Sequence, residues 1–432
     1  MITTYASILV YTEHGTVHSR SYHSVCGKCK KAHYHGYTLD KASGEVKFDS
    51  DSVTLIFNSD TAFSKKFIDY ADNMICIAGV SFERTASVLN TTFKLNPPLN
   101  PDRLEAAWFV YRIIKFQQSI PWPRKLKSKE LDLEKLCNDV YPYIKEIIEQ
   151  QWVNHVCDEV GCAARFVVID GNEKLFRSIC AADKSKIITG PDDVNRYDIC
   201  IRNPCRGNQH RKASKFCEEH SDGKVCETNV QIDYRPLTRS MSKTIPEVMT
   251  SGEGCKQEKN VNRFFNRTAG MFYIFRSCGV RVASFEMYTA ESLSNVFTCL
   301  VDVFGLNPST LKLNGVVYDR SCDLCPFILK LASNGNTIAK NYKDLQFIVD
   351  IFHAEKHTLP KCVLGSGSCE YHPHLDKFNH VRKMNTEIAE QSFKELNMYK
   401  CSTRKMTHAK RLLYLKFIDH SYNLKIVENR GQ

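Results

Sequence analysis

Three acidic residues stand on three separate segments, two of them where short apolar runs end. Asp170 follows the run Phe166–Ile169, Asp319 follows GVVY at Gly315–Tyr318, and Glu390 lies within NTEIAEQSFKEL at Asn385–Leu396. Brought together, such carboxylates would hold two hard divalent cations, Mg²⁺ or Mn²⁺, roughly 3.5–4 Å apart. That pair activates water or a 3′-hydroxyl and stabilises the leaving oxygen of a phosphodiester. A plainer reading stays open, because Asp170-Gly171 is also a strong hairpin-turn signal. Glu387 competes with Glu390 for the third role, being three residues away on roughly the same helix face.

A second kind of chemistry is written in the sulfurs. The chain has 19 cysteines, several interleaved with histidines. Without a secretory signal, which the opening residues do not suggest, metal ligation is expected rather than a disulfide framework. The clearest pattern is Cys200, Cys205, Cys217 and His220, with Cys226 as a fifth candidate, in a polar and basic stretch. A segment so poor in apolar residues needs a metal to fold, and thiolate and imidazole ligands suit structural Zn²⁺. Cys26 and Cys29 form a C-x-x-C pair that His33, His35 or Cys76 could complete. A third zinc candidate is the loop carrying His357, Cys362, Cys369 and His372, with His353 and His374 close by in sequence. Cys322 and Cys325 make a second C-x-x-C at an expected helix start.

Charge narrows the class of partner. The chain of 432 residues carries a formal charge of +11. That excess favours an acidic partner, most simply DNA, with basic residues concentrated at 202–215 and 404–416. No apolar run is long enough for a membrane helix.

These residues must be positioned by α/β structure. Residues 1–90 read as an α+β domain holding the first cysteine pair, with strands at Ala6–Tyr11 and Val53–Phe57 and short helices at Phe63–Asp69 and Phe82–Val88. Residues 91–155 read as a helical connector, with helices from Asp102 to about Gln118 and from Leu131 to Val153. In 156–400 the expected order is a buried strand at Phe166–Ile169, an inserted zinc module at 195–230, a polar linker at 231–262, and a hairpin around Cys278-Gly279. A helix at Glu291–Phe304 stopped by Gly305, the strand Gly315–Tyr318, a helix, a strand at Gln346–Phe352 and the helix Asn385–Leu396 follow. Glu173, Leu175 and Arg177 are expected to prolong the first strand. Residues 401–432 read as a basic helical tail. This is the element order of an RNase H-like α/β domain with an insertion after its first strand.

The segments VVIDGNEKLFRSICAA, VVYDRSCDLC, DIFHAEKH and NTEIAEQSF, in this order, resemble the motif series of the Kyakuja-Dileera-Zisupton (KDZ) transposases. The Cys200–Cys226 module is similar to a cysteine cluster found with that group, and the CGKC segment to another. The resemblance implies Asp170 and Asp319 as the catalytic aspartates and Glu390 as the catalytic glutamate. It also implies Mg²⁺- or Mn²⁺-dependent cleavage and strand transfer on transposon DNA, structural zinc, action in the nucleus and possible assembly as a homo-oligomer. The competing expectation is a zinc-stabilised DNA- or chromatin-binding protein without catalysis.

Overall fold

The computed structural model describes residues 2–34, 37–40, 45–48, 54–56, 61–119, 126–127, 133–177, 187–189, 195–199, 230–232, 268–287, 291–354 and 370–430. The chain divides into two compact units, residues 1–144 with 409–418, and residues 145–408 with 419–432.

The first unit is built on an antiparallel hairpin of β1 (Ile2–Thr12) and β2 (Gly15–Val25), paired along their whole length. The sheet extends through β3 (Lys31–Tyr34), β4 (Tyr37–Asp40), β5 (Glu45–Phe48), β6 (Thr54–Ile56), β7 (Thr61–Ser64) and β8 (Leu126–Lys127). Its order is β6-β7-β1-β2-β3-β4-β5-β8. Phe63 belongs to β7 rather than to the helix expected there. Ser64 instead caps α1 (Lys65–Cys76), its hydroxyl accepting from the amide of Phe67 at 3.2 Å. Such a cap satisfies a donor that the first helical turn leaves open. Two more helices, α2 (Phe82–Thr92) and α3 (Pro101–Ser119), pack with α1, and α4 (Leu133–Val153) follows them in the chain.

Residues 404–416 do not offer the open basic face that their composition suggests. Arg411 and Lys416 are buried, Lys410 is ion-paired to Glu105 at 3.1 Å, and the Arg404 guanidinium lies 4.3 Å from the centre of the Phe176 ring. In the first unit, Tyr414 packs against Phe82 and Trp108.

The second unit holds the carboxylates. Its central strand is β9 (Phe166–Asn172). A small antiparallel sheet of β10 (Ile187–Thr189), β11 (Asn195–Ile199) and β12 (Val230–Ile232) comes from the inserted stretch. The hairpin of β13 (Gly270–Arg276) and β14 (Arg281–Met287) forms as expected, turning at Cys278-Gly279 with Gly279 at φ 98°. With β15 (Gly315–Tyr318) and β16 (Gln346–Ile348), these build a five-stranded sheet in the order β14-β13-β9-β15-β16. β9, β15 and β16 run parallel, whereas β13 and β14 are antiparallel to their neighbours.

Helices cover both faces. A short turn, α5 (Val160–Ala163), precedes β9. One face of the sheet, through Val167, Ile169, Phe272, Ile274, Val316 and Tyr318, shares an apolar core with α6 (Leu293–Phe304), α7 (Ser321–Ser333) and α8 (Thr337–Tyr342). Gly305, at φ 73°, stops α6 as expected. β16 ends at Ile348, short of Phe352, and Ile351–Ala354 form the brief helix α9. The opposite face is backed by α10 (Ile388–Leu396), whose Phe393 meets the rings of Tyr273 and Phe275. After α11 (Lys400–Thr403), α12 (His408–Arg430) closes the described chain.

Two local expectations change. β9 does not turn at Asp170-Gly171: Gly171 pairs with Phe272 and the strand runs on to Asn172. It then ends, so Glu173, Leu175 and Arg177 are not strand, although Glu173 is exposed while Leu175 and Arg177 are buried.

Candidate active site and a cysteine-histidine cluster

Strand register brings the two aspartates together. β15 lies parallel to β9 with Val317 opposite Val168 and Tyr318 opposite Ile169. One step further along, Asp319 comes beside Asp170, on strands whose spacing is about 4.8 Å. Alternation turns Val167 and Ile169 toward the α6–α8 core, so Asp170 projects to the face backed by α10.

A third carboxylate arrives from just ahead of α6. Asp170, Glu291 and Asp319 each offer an oxygen, all within 4.8 Å of one another. Gly171 makes this approach feasible. A Cβ built on it would stand 2.1 Å from Oε2 of Glu291 and 2.9 Å from its Cδ. The glycine is therefore needed for space and not for a turn. Burial first, then the charges of Glu291 and Asp319, push the Asp170 carboxyl well above the usual range; the Gly171 amide, donating to Oδ1 at 2.8 Å, works the other way. Three carboxylates so arranged could hold a cation through oxygen ligands.

Glu390 stands on the first turn of α10, its side chain 50% exposed. It is outside the close carboxylate trio, yet its charge is among those acting on Asp170. Glu387, the rival candidate, is exposed just before the helix, its amide bonded to Oδ1 of Asn385 at 3.1 Å. Behind Glu390, Nδ1 of His353 meets Oδ2 of Asp350 at 2.8 Å, while Nε2 lies 4.0 Å from Oε1 of Glu390. His353 is thus engaged with carboxylates rather than with the histidine and cysteine neighbours its sequence context suggests.

The second grouping is a set of soft ligands. His155, Cys157, Cys162 and Cys278 place one ring nitrogen and three sulfurs within 4.8 Å of one another, and they could hold a metal ion such as zinc. Hydrogen bonding from Cys278 holds the Cys162 thiol down at about 4, against the opposing effect of burial.

Of the other zinc candidates, Cys200, Cys205, Cys217, His220, Cys226, His357, Cys362 and Cys369 lie outside the described residues. His372 is buried, with its ring 5.3 Å from that of His374. Cys26 and Cys29 sit on the tight turn between β2 and β3, where the Cys26 amide donates to the Lys31 carbonyl. Among the described residues they gather no third ligand. Cys76 is engaged elsewhere, near Asp72 and Arg112, and burial raises its thiol to about 12. Cys322 and Cys325 are buried on the first turn of α7.

Comparison with known families decides the lineage. Residues 163–423, more than half of the chain, match the Kyakuja-Dileera-Zisupton (KDZ) transposase family. The chain belongs to that family. No curated protein and no solved structure matches it. The matched KDZ region contains every member of the carboxylate site, together with Cys278 of the sulfur cluster. His155, Cys157 and Cys162 precede it, although Cys162 does so by a single residue.

Two features of this KDZ chain escape a linear reading. Glu291 reads there only as the start of a helix, and its role depends on the space above Gly171. His155, Cys157 and Cys162 lie within eight residues, but Cys278 is far from them in sequence, so local spacing does not complete the set.

Proposed function

We propose that the chain is the catalytic core of a DNA transposase that cleaves and joins phosphodiesters by a two-metal route. Asp170, Asp319 and Glu390 are its catalytic carboxylates, with Glu291 as a fourth. The observation that carries this reading is the shared register of β9 and β15, which sets Asp319 beside Asp170. The sheet order β14-β13-β9-β15-β16, with its parallel half toward β16, supports an RNase H-like fold.

The donor set suits Mg²⁺ or Mn²⁺, because oxygen ligands are hard and their mutual repulsion is relieved by a divalent charge. When bound, such ions supply Lewis acidity and lower the pKa of a coordinated water or hydroxyl. The protein's part is positional. Asp170 and Asp319 are fixed by paired strands, Glu291 reaches in over Gly171, and Glu390 approaches from the exposed side, where a DNA backbone has access. Asp350 orients His353 toward Glu390. We assign structural zinc to the inserted module of Cys200, Cys205, Cys217, His220 and Cys226, on the chemistry of its ligands. DNA in the nucleus is the partner, and pairing of two transposon ends calls for a homo-oligomer.

The test is cleavage and strand transfer by the full chain on transposon-end DNA with Mg²⁺ or Mn²⁺. Activity that requires the cation and disappears in Asp170→Asn supports the reading. Binding of DNA without any cation-dependent cleavage would reduce the protein to a passive binder.

A further inference from the structure

We infer that His155, Cys157, Cys162 and Cys278 bind one structural Zn²⁺, which clips the segment leading into β9 to the turn of the β13–β14 hairpin. Nothing in the carboxylate site calls for this ion, and sequence spacing supplies only three of its ligands.

The ligand set is complete from the protein alone. One imidazole and three thiols lie within 4.8 Å of one another. All three cysteines are free of disulfides. Zinc in structural sites takes four protein ligands of this kind in a tetrahedron, leaving no open position for water. The imidazole supplies an independent sign, since Nε2 of His155 is buried with no hydrogen-bond partner. Leaving such a nitrogen unbonded is costly, and ligation of a metal ion would satisfy it.

The surroundings fit the charge of such a site. Three thiolates and a neutral imidazole around Zn²⁺ carry a net single negative charge, following from the ligand chemistry. Arg276, two residues before Cys278, is buried, with Nε and Nη1 lacking hydrogen-bond partners. A buried guanidinium stays charged and requires an anion close by. From the rim, Nη1 of Arg430 lies 3.5 Å from the Cys157 sulfur, and its Nη2 donates to the Cys278 carbonyl at 3.2 Å. A thiolate-rich zinc centre gives both arginines an anionic partner.

The scaffold holds the ligands in position. Glu159 caps α5, its Oε2 accepting from the Cys162 amide at 2.8 Å and also from the hydroxyl of Ser277, next to Cys278. One carboxylate therefore ties both halves of the ligand set, and its Oε1 accepts from the amide of Asn385 at 3.4 Å. The cluster borders the start of β9, four residues before Asp170, or roughly 13 Å of extended chain. That separation makes the ion a support for the strand bearing Asp170 and not a member of the carboxylate site.

The experiment measures zinc per full chain by elemental analysis, and then the absorption of the Co²⁺-substituted protein. Cys157→Ser and Cys278→Ser should each lower the content by one equivalent relative to wild type, while Cys200→Ser/Cys205→Ser lowers it independently. His155→Cys should keep the full complement and raise the sulfur-to-cobalt charge-transfer intensity of this site by roughly one third, as three thiolates become four. The cysteine variants would be checked for folding by circular dichroism. Should either of them unfold, His155→Cys decides alone, because it keeps a four-ligand set. Zinc content equal in wild type, Cys157→Ser and Cys278→Ser overturns the inference, as does an unchanged cobalt spectrum in His155→Cys. Neither result bears on cation-dependent cleavage.

Discussion

Asp170 and Asp319 stand side by side because their strands are paired in register, with Tyr318 opposite Ile169 one step earlier. Neither residue can shift along its strand without breaking that ladder and exposing the core-facing residues beside it. Such rigidity would hold both charges in place for the proposed cleavage. Asp170→Asn or Asp319→Asn should abolish several kcal/mol of transition-state stabilisation, which corresponds to roughly a thousandfold in cleavage rate. DNA affinity should persist, since each substitution removes a negative charge and no cation that could meet a phosphate. Paired cleavage and filter-binding assays on the same preparations check this, and a proportionate loss of both would point to misfolding instead.

The same proximity has a thermodynamic cost without cations. The folded-state pKa of Asp170 is raised by burial and by Glu291 and Asp319. Its stabilising contribution is therefore complete below the unfolded value of about 3.9 and is lost as pH rises through the folded value. In metal-free buffer, β9 should be less protected near neutral pH than in mild acid. Hydrogen–deuterium exchange of β9 amides should show this trend. Asp170→Asn should flatten it, and added Mn²⁺ should reverse the loss at neutral pH.

Much of this frame is legible in the sequence, and the exceptions have physical causes. β9, β15 and the Cys278-Gly279 hairpin declare themselves because they are apolar, β-branched or bounded by a turn residue. β2 does not, since GTVHSRSYHSV is mostly polar, yet it pairs with β1 over its full length. Gly171 reads as a turn signal, while its actual use is room for a carboxylate from a distant segment, a demand no local window reveals. The last strand stops early because Asp350 accepts from the His353 amide at 3.0 Å and opens a helical turn. The tail from 404 looks soluble and basic, but Arg411 and Lys416 are buried.

Gly171→Ala tests that use of space. The added methyl would stand 2.1 Å from Oε2 of Glu291, so the Glu291 side chain must swing away. Overpacking of this kind costs about 1–3 kcal/mol. Cation affinity should fall with only a modest loss of stability, as measured by Mn²⁺ calorimetry beside urea unfolding. Glu291→Gln should reproduce the affinity loss without the strain.

A buried ion pair offers a stability prediction away from the site. Arg177 and Glu286 have side chains 0% and 1% exposed and meet through Nε and Oε1 at 3.0 Å, with Nδ1 of His408 also 2.6 Å from Oε2. Glu286 thus serves two cationic partners, and breaking a buried pair of this kind costs about 3–5 kcal/mol. Glu286→Ala should therefore lower the urea midpoint sharply. His408→Ala should be much milder, because that side chain is partly exposed.

The final prediction separates the two helical glutamates. Glu390 sits on the first turn of α10, is half exposed, and acts on Asp170 through its charge. Glu387 lies outside the helix proper, with its amide turned to Asn385. If Glu390 completes the cation shell, Glu390→Gln should lose cleavage on the scale of Asp170→Asn, whereas Glu387→Gln should stay within a few-fold of wild type. His353 supports the assignment from behind, held by Asp350 at 2.8 Å and facing Glu390 at 4.0 Å. Residues that orient a metal ligand are worth about 10–100-fold in affinity or activity, so His353→Ala should fall between the two glutamate variants. Single-turnover cleavage across a Mn²⁺ titration distinguishes the cases. Loss of ligand or orienter should shift the cation requirement upward, while a residue serving only the helix end should leave it unchanged. Cleavage lost in Glu387→Gln and kept in Glu390→Gln would reverse the assignment without touching the register of Asp170 and Asp319.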